Sequence, residues 1–390
     1  MSHTVHICIL TTAHPLDDVR VNNKFAQSFR DEGFKVTWVG PDYAYFDHDN
    51  YNRYGVNYQL YPQASSRLGR IFSHRAAYAA GLQVEDVDIY YSPEPDSAEV
   101  AIKLASKNGA KVIFDIHEVY HDVMLSRWLK GWAFKMLRPV ARKRIERTCS
   151  RCDLVVGVSH AVLEPYSQAK VEQIIVRSCA PNWFAKDPPA DVCGEGRTGL
   201  KLMHGKSTLG RGTTTVLEAL SLAKADSPKL SAIMFDTFLE GSEGFGSNDF
   251  LQQLKQLEIA ELIDFRKPVP MQEMPSILQS CDIGLISYNR ALGLESLPNK
   301  LFEYMATGLA IIAPSYSEEI AKIINTEQCG LLADFEDPAS IANAINYLYN
   351  NQEECREMGK RAREAFLKRH NWQAEIVPLI KKIRTWCPQT

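Results

Sequence analysis

The sequence predicts an α/β protein built from two successive parallel-sheet units, and three observations carry that prediction. Apolar runs of strand length alternate with helical segments over most of the chain, as in a parallel sheet covered by helices on both faces. The alternation is interrupted once, at 178–198, where Pro, Gly and Asp cluster without periodicity in "SCAPNWFAKDPPADVCGEGRT". At 390 residues the chain also exceeds one ordinary core, so two domains are expected.

The first unit opens with the buried-strand run "VHICILTTA", the helical "RVNNKFAQSFRDEG" ending on Gly33, and the strand "FKVTWVG". "VDIYYS" and "KVIFDIH" follow as strands around the helical "DSAEVAIKLASKNG", and "CDLVVGVS" leads to Ser159 as the cap of a short helix. After the break, strands are predicted at "LKLMHGK", "LSAIMFD", "IDFRKPV" and "CDIGLIS", separated by helices at "TTTVLEALSLAKA", "NDFLQQLKQL" and "QEMPSILQS". An apolar helix, "PASIANAINYLYNN", and a charged one around "ECREMGKRAREAFLKR" come later.

Composition narrows the function classes. Hydrophobic residues are 45% and charged residues 23%, ordinary for a soluble globular chain, and a net charge of -3 argues against a dedicated nucleic-acid binder. No apolar h-region opens the chain and no run approaches the ~20 residues of a membrane span, so a cytosolic location is expected. Nine cysteines without framework spacing suit reduced thiols. The one Cys-x-x-Cys, Cys149 and Cys152, lacks a second pair to complete a zinc site and reads as packing before a buried strand.

In open parallel sheets, ligands bind beyond the carboxyl ends of the strands. The polar residues at those positions are His14, Asp17 and Asp18; Glu94 and Asp96; Asp115, His117 and Glu118; Lys206; and Glu295. The most informative stretch is "LESLPNKLFEYMATGLAIIA", 294–313. Pro298 suits the first turn of a helix, Leu301, Phe302 and Met305 give it an apolar face, and Gly308 suits its stop. The next run, 309–313, reads as a strand buried on both faces. Glu295 and Glu303 then flank a helix N-terminus whose N–H groups favour an anion, which suits a ligand carrying both phosphate and hydroxyls. In "HGKSTLGRG", Lys206 and Arg211 lie near a strand-to-helix turn, where two cations can hold a diphosphate and offset its charge as a leaving group. The Walker order is absent.

These segments together resemble the retaining GT-B glycosyltransferases of group 1, family 4-like, that carry a Glu-x7-Glu signature. The matching residues are "ESLPNKLFE" at 295–303 with the following "YMATGLAIIA", "GKSTLGRG" at 205–212, and "VPMQEMPSILQSCDIGLI" at 269–286. "FDIHEVY" and "CDLVVGVSHAV" in the first half also fit, so the resemblance covers nearly the whole chain. It implies two Rossmann-like domains facing a central cleft: an acceptor domain over 1–180, a linker over 181–198, a donor domain over 199–370, and a helix over 371–390 crossing back to the first domain.

The resemblance also implies residue roles. Glu303 would bind the ribose hydroxyls of a nucleotide sugar, and Glu295 the hydroxyls of the donor sugar. Lys206 and Arg211 would clamp the diphosphate, helped by backbone N–H groups in the turn formed by Leu297, Pro298, Asn299 and Lys300. Val269 and its neighbours would lie against the base, and His117 would face the donor sugar across the cleft. Lys206 departs from the arginine of many relatives, keeping the charge without the bidentate fork. The first loop departs too: "TAHPLDDVRVNNK" replaces a Gly-Gly turn and resembles a subgroup with His-Pro-x-Asp-Asp followed by Arg. His14, Asp17, Asp18, Arg20, Glu94 and Asp96 are the acceptor-binding or loop-ordering candidates, with Asp17 or Asp18 also suited to capping the helix.

The implied reaction moves a sugar, with retention, from a nucleoside diphosphate sugar (UDP ahead of GDP) to a glycan or lipid-linked acceptor in cell-surface polysaccharide or glycolipid synthesis. It is a front-face displacement in which the leaving phosphate helps deprotonate the acceptor, so no cofactor or metal is expected. Two Asp-x-Asp triplets, Asp47 to Asp49 and Asp86 to Asp88, suit metal in another transferase class but read here as chance, in a surface loop and beside a strand. Residues 127–147 carry eight Lys or Arg against one Glu, interleaved with aromatics. Arg127, Trp128, Lys130, Trp132, Lys135 and Arg138 are therefore candidates for reversible contact with an anionic inner membrane face, at roughly 1 kcal/mol per basic residue. Pro139 should break or kink that helix. Two rivals stand beside the transferase: a nucleotide-sugar 2-epimerase on the same architecture, and a non-catalytic nucleotide binder. The latter is disfavoured because no Gly-x-Gly-x-x-Gly follows the first strand.

Overall fold

The computed structural model describes residues 4–43, 55–64, 72–126, 129–186, 199–207, 212–237, 246–294 and 297–387. The chain forms two units, one of Met1–Arg177 with Ile376–Thr390 and one of Ser178–Glu375. Each is a parallel sheet wound with helices.

In the first unit the strands are β1 (His6–Leu10), β2 (Lys35–Asp42), β3 (Asn57–Pro62), β4 (Ile89–Ser92), β5 (Lys111–Ile116), β6 (Leu154–Gly157) and β7 (Gln173–Ile175). They lie in the order β3-β2-β1-β4-β5-β6-β7, all parallel, so the winding reverses between β1 and β4. The helices are α1 (Gln27–Asp31), α2 (Ser73–Gly81), α3 (Pro95–Asn108), α4 (Tyr120–Ser126), α5 (Gly131–Cys149) and α6 (His160–Leu163). β1 is buried throughout, which is why it reads as a continuous apolar run.

In the second unit β8 (Leu200–Lys206), β9 (Leu230–Phe235), β10 (Ile263–Arg266), β11 (Ile283–Leu285), β12 (Ala310–Pro314) and β13 (Gly330–Ala333) lie in the order β10-β9-β8-β11-β12-β13, again parallel. Its helices are α7 (Thr213–Ala223), α8 (Ser247–Gln256), α9 (Met274–Gln279), α10 (Arg290–Gly293), α11 (Asn299–Thr307), α12 (Glu318–Glu327), α13 (Pro338–Asn350), α14 (Gln352–Lys368) and α15 (Trp372–Glu375). The winding reverses between β8 and β11. The last helix, α16 (Val377–Trp386), belongs to the first unit, where Lys382 pairs with Glu172 and Arg384 with Glu32.

Several sequence expectations need correction. Residues 181–186 are not linker: Phe184 and Ala185, with Cys179 and Ala180, are core of the second unit. Residues 371–375 also stay with that unit. The segment after β1 is not a plain α-helix. Its first part, Val19–Ala26, is π-helical and widens at Asp18, whose carbonyl accepts from the N–H of both Asn22 (3.0 Å) and Asn23 (3.2 Å). Pro139 does not break α5; it sits exposed inside it, where water can serve the carbonyl its missing N–H would have bonded. Strands β3, β7 and β13 and helices α2, α4, α10 and α12 were not anticipated.

Candidate active site

At the first reversal point the loop after β1 meets the turn after β4. Glu94, the residue before α3, is buried and draws donors from across the point. Ala13 N–H and His14 N–H each reach Oε1 at 3.1 Å, Thr12 N–H reaches Oε2 at 3.2 Å, and the Thr11 hydroxyl donates to Oε1. The Ser97 hydroxyl, one helical turn on, donates to Oε2 at 2.7 Å. His14 completes the set with Nδ1 2.5 Å from Oε1. Burial alone would push His14 down, but the Glu94 charge and hydrogen bond raise it to about 9. Burial likewise works against ionised Glu94, yet His14 and the hydroxyl donors bring it to about 2. The pair is therefore an ion pair at neutral pH. Beside it, Asp96 accepts from the Thr12 hydroxyl at 2.8 Å, while burial and the Glu94 charge raise its pKa.

The next strand brings His117. Its Nε2 lies 3.2 Å from Nε2 of His14, and the Tyr120 hydroxyl is 3.1 Å from its Nδ1 and 3.3 Å from its Nε2. Burial pushes His117 down to about 4, against the pull of Asp115, so it is neutral. Asp115 in turn is held by Arg20, with Nε to Oδ2 at 2.9 Å and Nη2 to Oδ1 at 2.7 Å. Both terminal nitrogens of Arg20 also donate to the Val176 carbonyl at 3.2 Å.

These placements revise the acceptor candidates. Arg20 and Glu94 are buried and shape the loop from within, and Asp18 caps the following helix through Oδ1 to Val21 N–H at 2.7 Å. Asp17 is exposed, and Ala13, His14 and Asp96 keep partial or full exposure beside it. Thr11, Thr12 and Tyr120 were missed as members of this cluster; the Thr-Thr step leaving a buried strand was the available signal.

The second reversal point lies at the ends of β8 and β11. A register shift between Met203 and Gly205 puts an irregularity into the β8–β9 ladder, which continues to Lys206, and Lys206 ends the strand exposed, with no ion-pair partner among the described residues. His204 is buried, with Nδ1 3.1 Å from the Ser287 hydroxyl after β11 and Nε2 3.2 Å from the Thr213 hydroxyl at the start of α7. Neither His204 nor these hydroxyls was picked out by sequence.

Helix α11 packs over the same strands. The Tyr304 hydroxyl reaches the Met203 carbonyl at 3.4 Å, and Lys300 Nζ donates to the Leu285 carbonyl at 3.0 Å and lies over the Tyr288 ring. Gly284 on β11 is required by that packing, since a Cβ there would stand 2.2 Å from the Tyr304 ring. Pro298 is the residue before the helix, not inside it, and supplies no capping side chain to the first N–H groups. Leu297 and Val269 pack partly buried against the core beneath. Glu303 lies half-buried on the second turn, and Gly308 closes the helix with φ 78°, which favours glycine. Lys300 thus bonds inward rather than presenting its charge. Arg211, Glu295, Arg127, Trp128 and the Asp47 to Asp49 triplet lie outside the described residues. Asp88 uses its carboxylate on the His6 N–H at 2.7 Å, and among the described residues no group of three His, Cys, Asp or Glu side chains could hold a metal.

With this geometry in view, comparison with known proteins is informative. Residues 202–365 match the family described as Glycosyl transferases group 1, and residues 19–176 match Glycosyltransferase Family 4. The chain belongs to these glycosyltransferase families. The second cluster falls within the matched regions, as do Arg20, Glu94, Asp96, Asp115, His117 and Tyr120 of the first, while Thr11 to His14 precede them. Among curated relatives, the family member is 28% identical over 132 residues to a D-inositol 3-phosphate glycosyltransferase of Corynebacterium urealyticum, covering 34% of this chain and 30% of that one. It is 25% identical over 180 residues to spore coat protein SA of Bacillus subtilis, covering 44% and 45%. The aligned part of the chain thus spans less than half the length of either relative. Among solved structures, Anabaena HepE (Alr3699) in complex with UDP superposes with a TM-score of 0.75 at 13% identity, covering 98% of this chain and all of that one. A glycosyltransferase from Rickettsia africae gives 0.74 at 14%, covering 99% of both. At such identities the likeness shows the fold alone, which is GT-B.

Proposed function

We propose that this protein transfers a sugar from a nucleoside diphosphate sugar, UDP ahead of GDP, to a glycan or lipid-linked acceptor, with retention and without a metal. The observation that carries the reading is the second reversal point. There an exposed Lys206 ends β8, and α11, tied to β8 through Tyr304, begins after Pro298, which brings no capping side chain of its own, and bears half-buried Glu303. Cation and N–H groups suit a diphosphate, and a carboxylate one turn further in suits ribose hydroxyls. HepE, of the same fold, has been crystallised with UDP and with UDP-glucose, which supports the UDP choice. Catalysis on this reading is positioning plus stabilisation of the leaving diphosphate by Lys206 and Arg211, with Glu295 on the donor sugar and His117 as a further catalytic residue. His14, Asp17, Asp18 and Asp96 are the acceptor-side groups that retain exposure.

The acceptor is proposed to be lipid-linked, reached from the cytosolic face of an anionic membrane. Support comes from α5, where Trp132, Met136 and Val140 are 75%, 65% and 63% exposed beside exposed Lys130, Lys135, Arg142, Lys143, Arg144 and Arg147. Such a face suits headgroups and the acyl boundary together. Arg138 contributes less, being tied to Asp122. No described helix is long and apolar enough to cross a membrane.

Thermal unfolding of wild type and Glu303→Ala with UDP, GDP and NAD, each in EDTA and in Mg²⁺, tests the donor reading. At about a hundred times its Kd, UDP in EDTA should add roughly 2.7 kcal/mol to the wild type and nothing to the variant. Stabilisation by NAD alone would overturn the reading, and a requirement for Mg²⁺ would overturn its metal independence.

A further inference from the structure

Strand β8 carries one residue more than β9 along their shared ladder. Met203 stands opposite Ile233 and Gly205 opposite Met234, so His204 between them has no counterpart on β9. The ladder then resumes, and Lys206 stands opposite Phe235, the last residue of β9. Beyond it, the Ser207 N–H donates to the Phe235 carbonyl at 3.3 Å, and the Thr237 hydroxyl donates to the Ser207 carbonyl at 3.3 Å. Gly205, with φ 84°, takes the left-handed conformation that follows the extra residue and favours glycine. In an unbroken ladder Gly205 would meet Phe235, and Lys206 would lie one residue beyond, about 3.3 Å further along the strand. Insertions of this kind re-aim a side chain and cluster beside functional sites.

The extra residue is held by its side chain. His204 is buried, and its two ring nitrogens meet hydroxyls from two other elements. Nδ1 is 3.1 Å from Ser287, just past β11, and Nε2 is 3.2 Å from Thr213, the first residue of α7. A hydroxyl donates or accepts as the ring requires, so a neutral imidazole is served at both nitrogens. An apolar residue in its place would have no such bonds to make. Leu200 and Leu202, earlier on the same strand, pack instead into the core with Val216 and Leu217 of α7.

We infer that His204 is a positioning residue for Lys206: it pins the extra residue of β8 to Ser287 and Thr213, and so fixes the register at which Lys206 meets the diphosphate of a nucleotide donor. The pin stands on geometry, and its role at the diphosphate rests on the function proposed above. Displacing a cation by about one strand residue is enough to lose a direct hydrogen bond to a phosphate oxygen.

The test is a double-mutant cycle on the full chain, read by calorimetry with UDP and by ligand-observed NMR with uridine. Lys206→Ala should weaken UDP about tenfold, the scale of one charge-assisted hydrogen bond. His204→Leu should weaken UDP by a similar factor, while uridine, which has no phosphate, binds as it does to wild type. Together the two changes should cost no more than about tenfold, because Lys206 is already out of place. Independent sites would multiply to about a hundredfold. That result would overturn the positioning role, and so would an equal loss for uridine. Residues 204 and 206 are close neighbours, so Thr213→Val with Ser287→Ala repeats the cycle from distant positions, and it serves equally where His204→Leu does not fold. Full UDP affinity in that variant would remove the pin. A crystal structure of ligand-free His204→Leu, or of the hydroxyl variant, should show Gly205 opposite Phe235 in an unbroken ladder. A ladder still shifted at 204 overturns the inference with no nucleotide involved. If wild type binds no UDP, the donor reading fails instead, and the register in that crystal structure alone decides what His204 holds.

Discussion

The two reversal points are furnished in opposite ways. In the first unit, Glu94, His14, His117, Asp115 and Arg20 meet one another in a buried network that satisfies itself. In the second, Lys206 ends a strand exposed and Pro298, the residue before α11, brings no capping side chain. The difference teaches how to divide a polar cluster into architecture and reception. Groups that pair internally hold a loop in shape, whereas a cation left toward solvent is completed by a ligand.

If this division is right, substitutions in the first cluster cost stability and those in the second cost binding. Arg20→Met leaves the Asp115 carboxylate buried without its partner, so urea unfolding should show a loss of about 3–5 kcal/mol. A variant that keeps its stability would break the comparison at once. The pH dependence of stability should show two arms. His14, raised to about 9, contributes stability that is full below its ordinary 6.5 and is lost as pH rises through about 9. His117, pushed down to about 4, contributes stability present above 6.5 and lost as pH falls toward 4. Each arm is on the order of 3 kcal/mol, so stability measured across pH 4–10 should peak between them, and a flat profile would remove the ion pair from the account.

In the second unit, Lys206→Ala should change stability by less than about 0.5 kcal/mol yet weaken UDP binding in calorimetry, and Lys206→Arg should restore it through the guanidinium fork. Destabilisation by Lys206→Ala with binding intact would place Lys206 with the architecture instead. Smallest in stability is the surface pair Trp132→Ala with Met136→Ala, expected within about 0.5 kcal/mol of wild type. Its effect belongs in co-sedimentation with anionic vesicles, which should fall, while neutral vesicles bind neither protein.

Much of the second site was legible because its signals are local. Pro298, the apolar face of α11 and Gly308 lie within eleven residues of one another, and their spacing alone marks a helix start, a buried face and a stop. The first site was not legible in the same way. Apart from Ser97, the donors to Glu94 stand 80 to 83 residues away and arrive only when β1 pairs with β4, so sequence could nominate Glu94 and His14 but not show that they neutralise each other. The same contrast holds for strands. β1 and β12 are buried along their whole length and announce themselves, while β3 is a half-exposed edge strand ending on Pro62 and β7 spans three residues. Pro139 misled because the rule against proline inside helices assumes a helix interior away from water, and α5 is wet there.

The discontinuity of the first unit sets a timetable for biosynthesis. Its seventh strand is complete by residue 175, but the helix that pairs Lys382 with Glu172 and Arg384 with Glu32 comes from the far side of a unit of roughly 200 residues. At about 5–20 residues per second, a ribosome takes roughly 10 to 40 seconds to cross that interval. During it the nascent first unit waits without its last helix, and the strip that α16 will cover, including the seat for buried Leu379, Ile380 and Ile383, is open to chaperones.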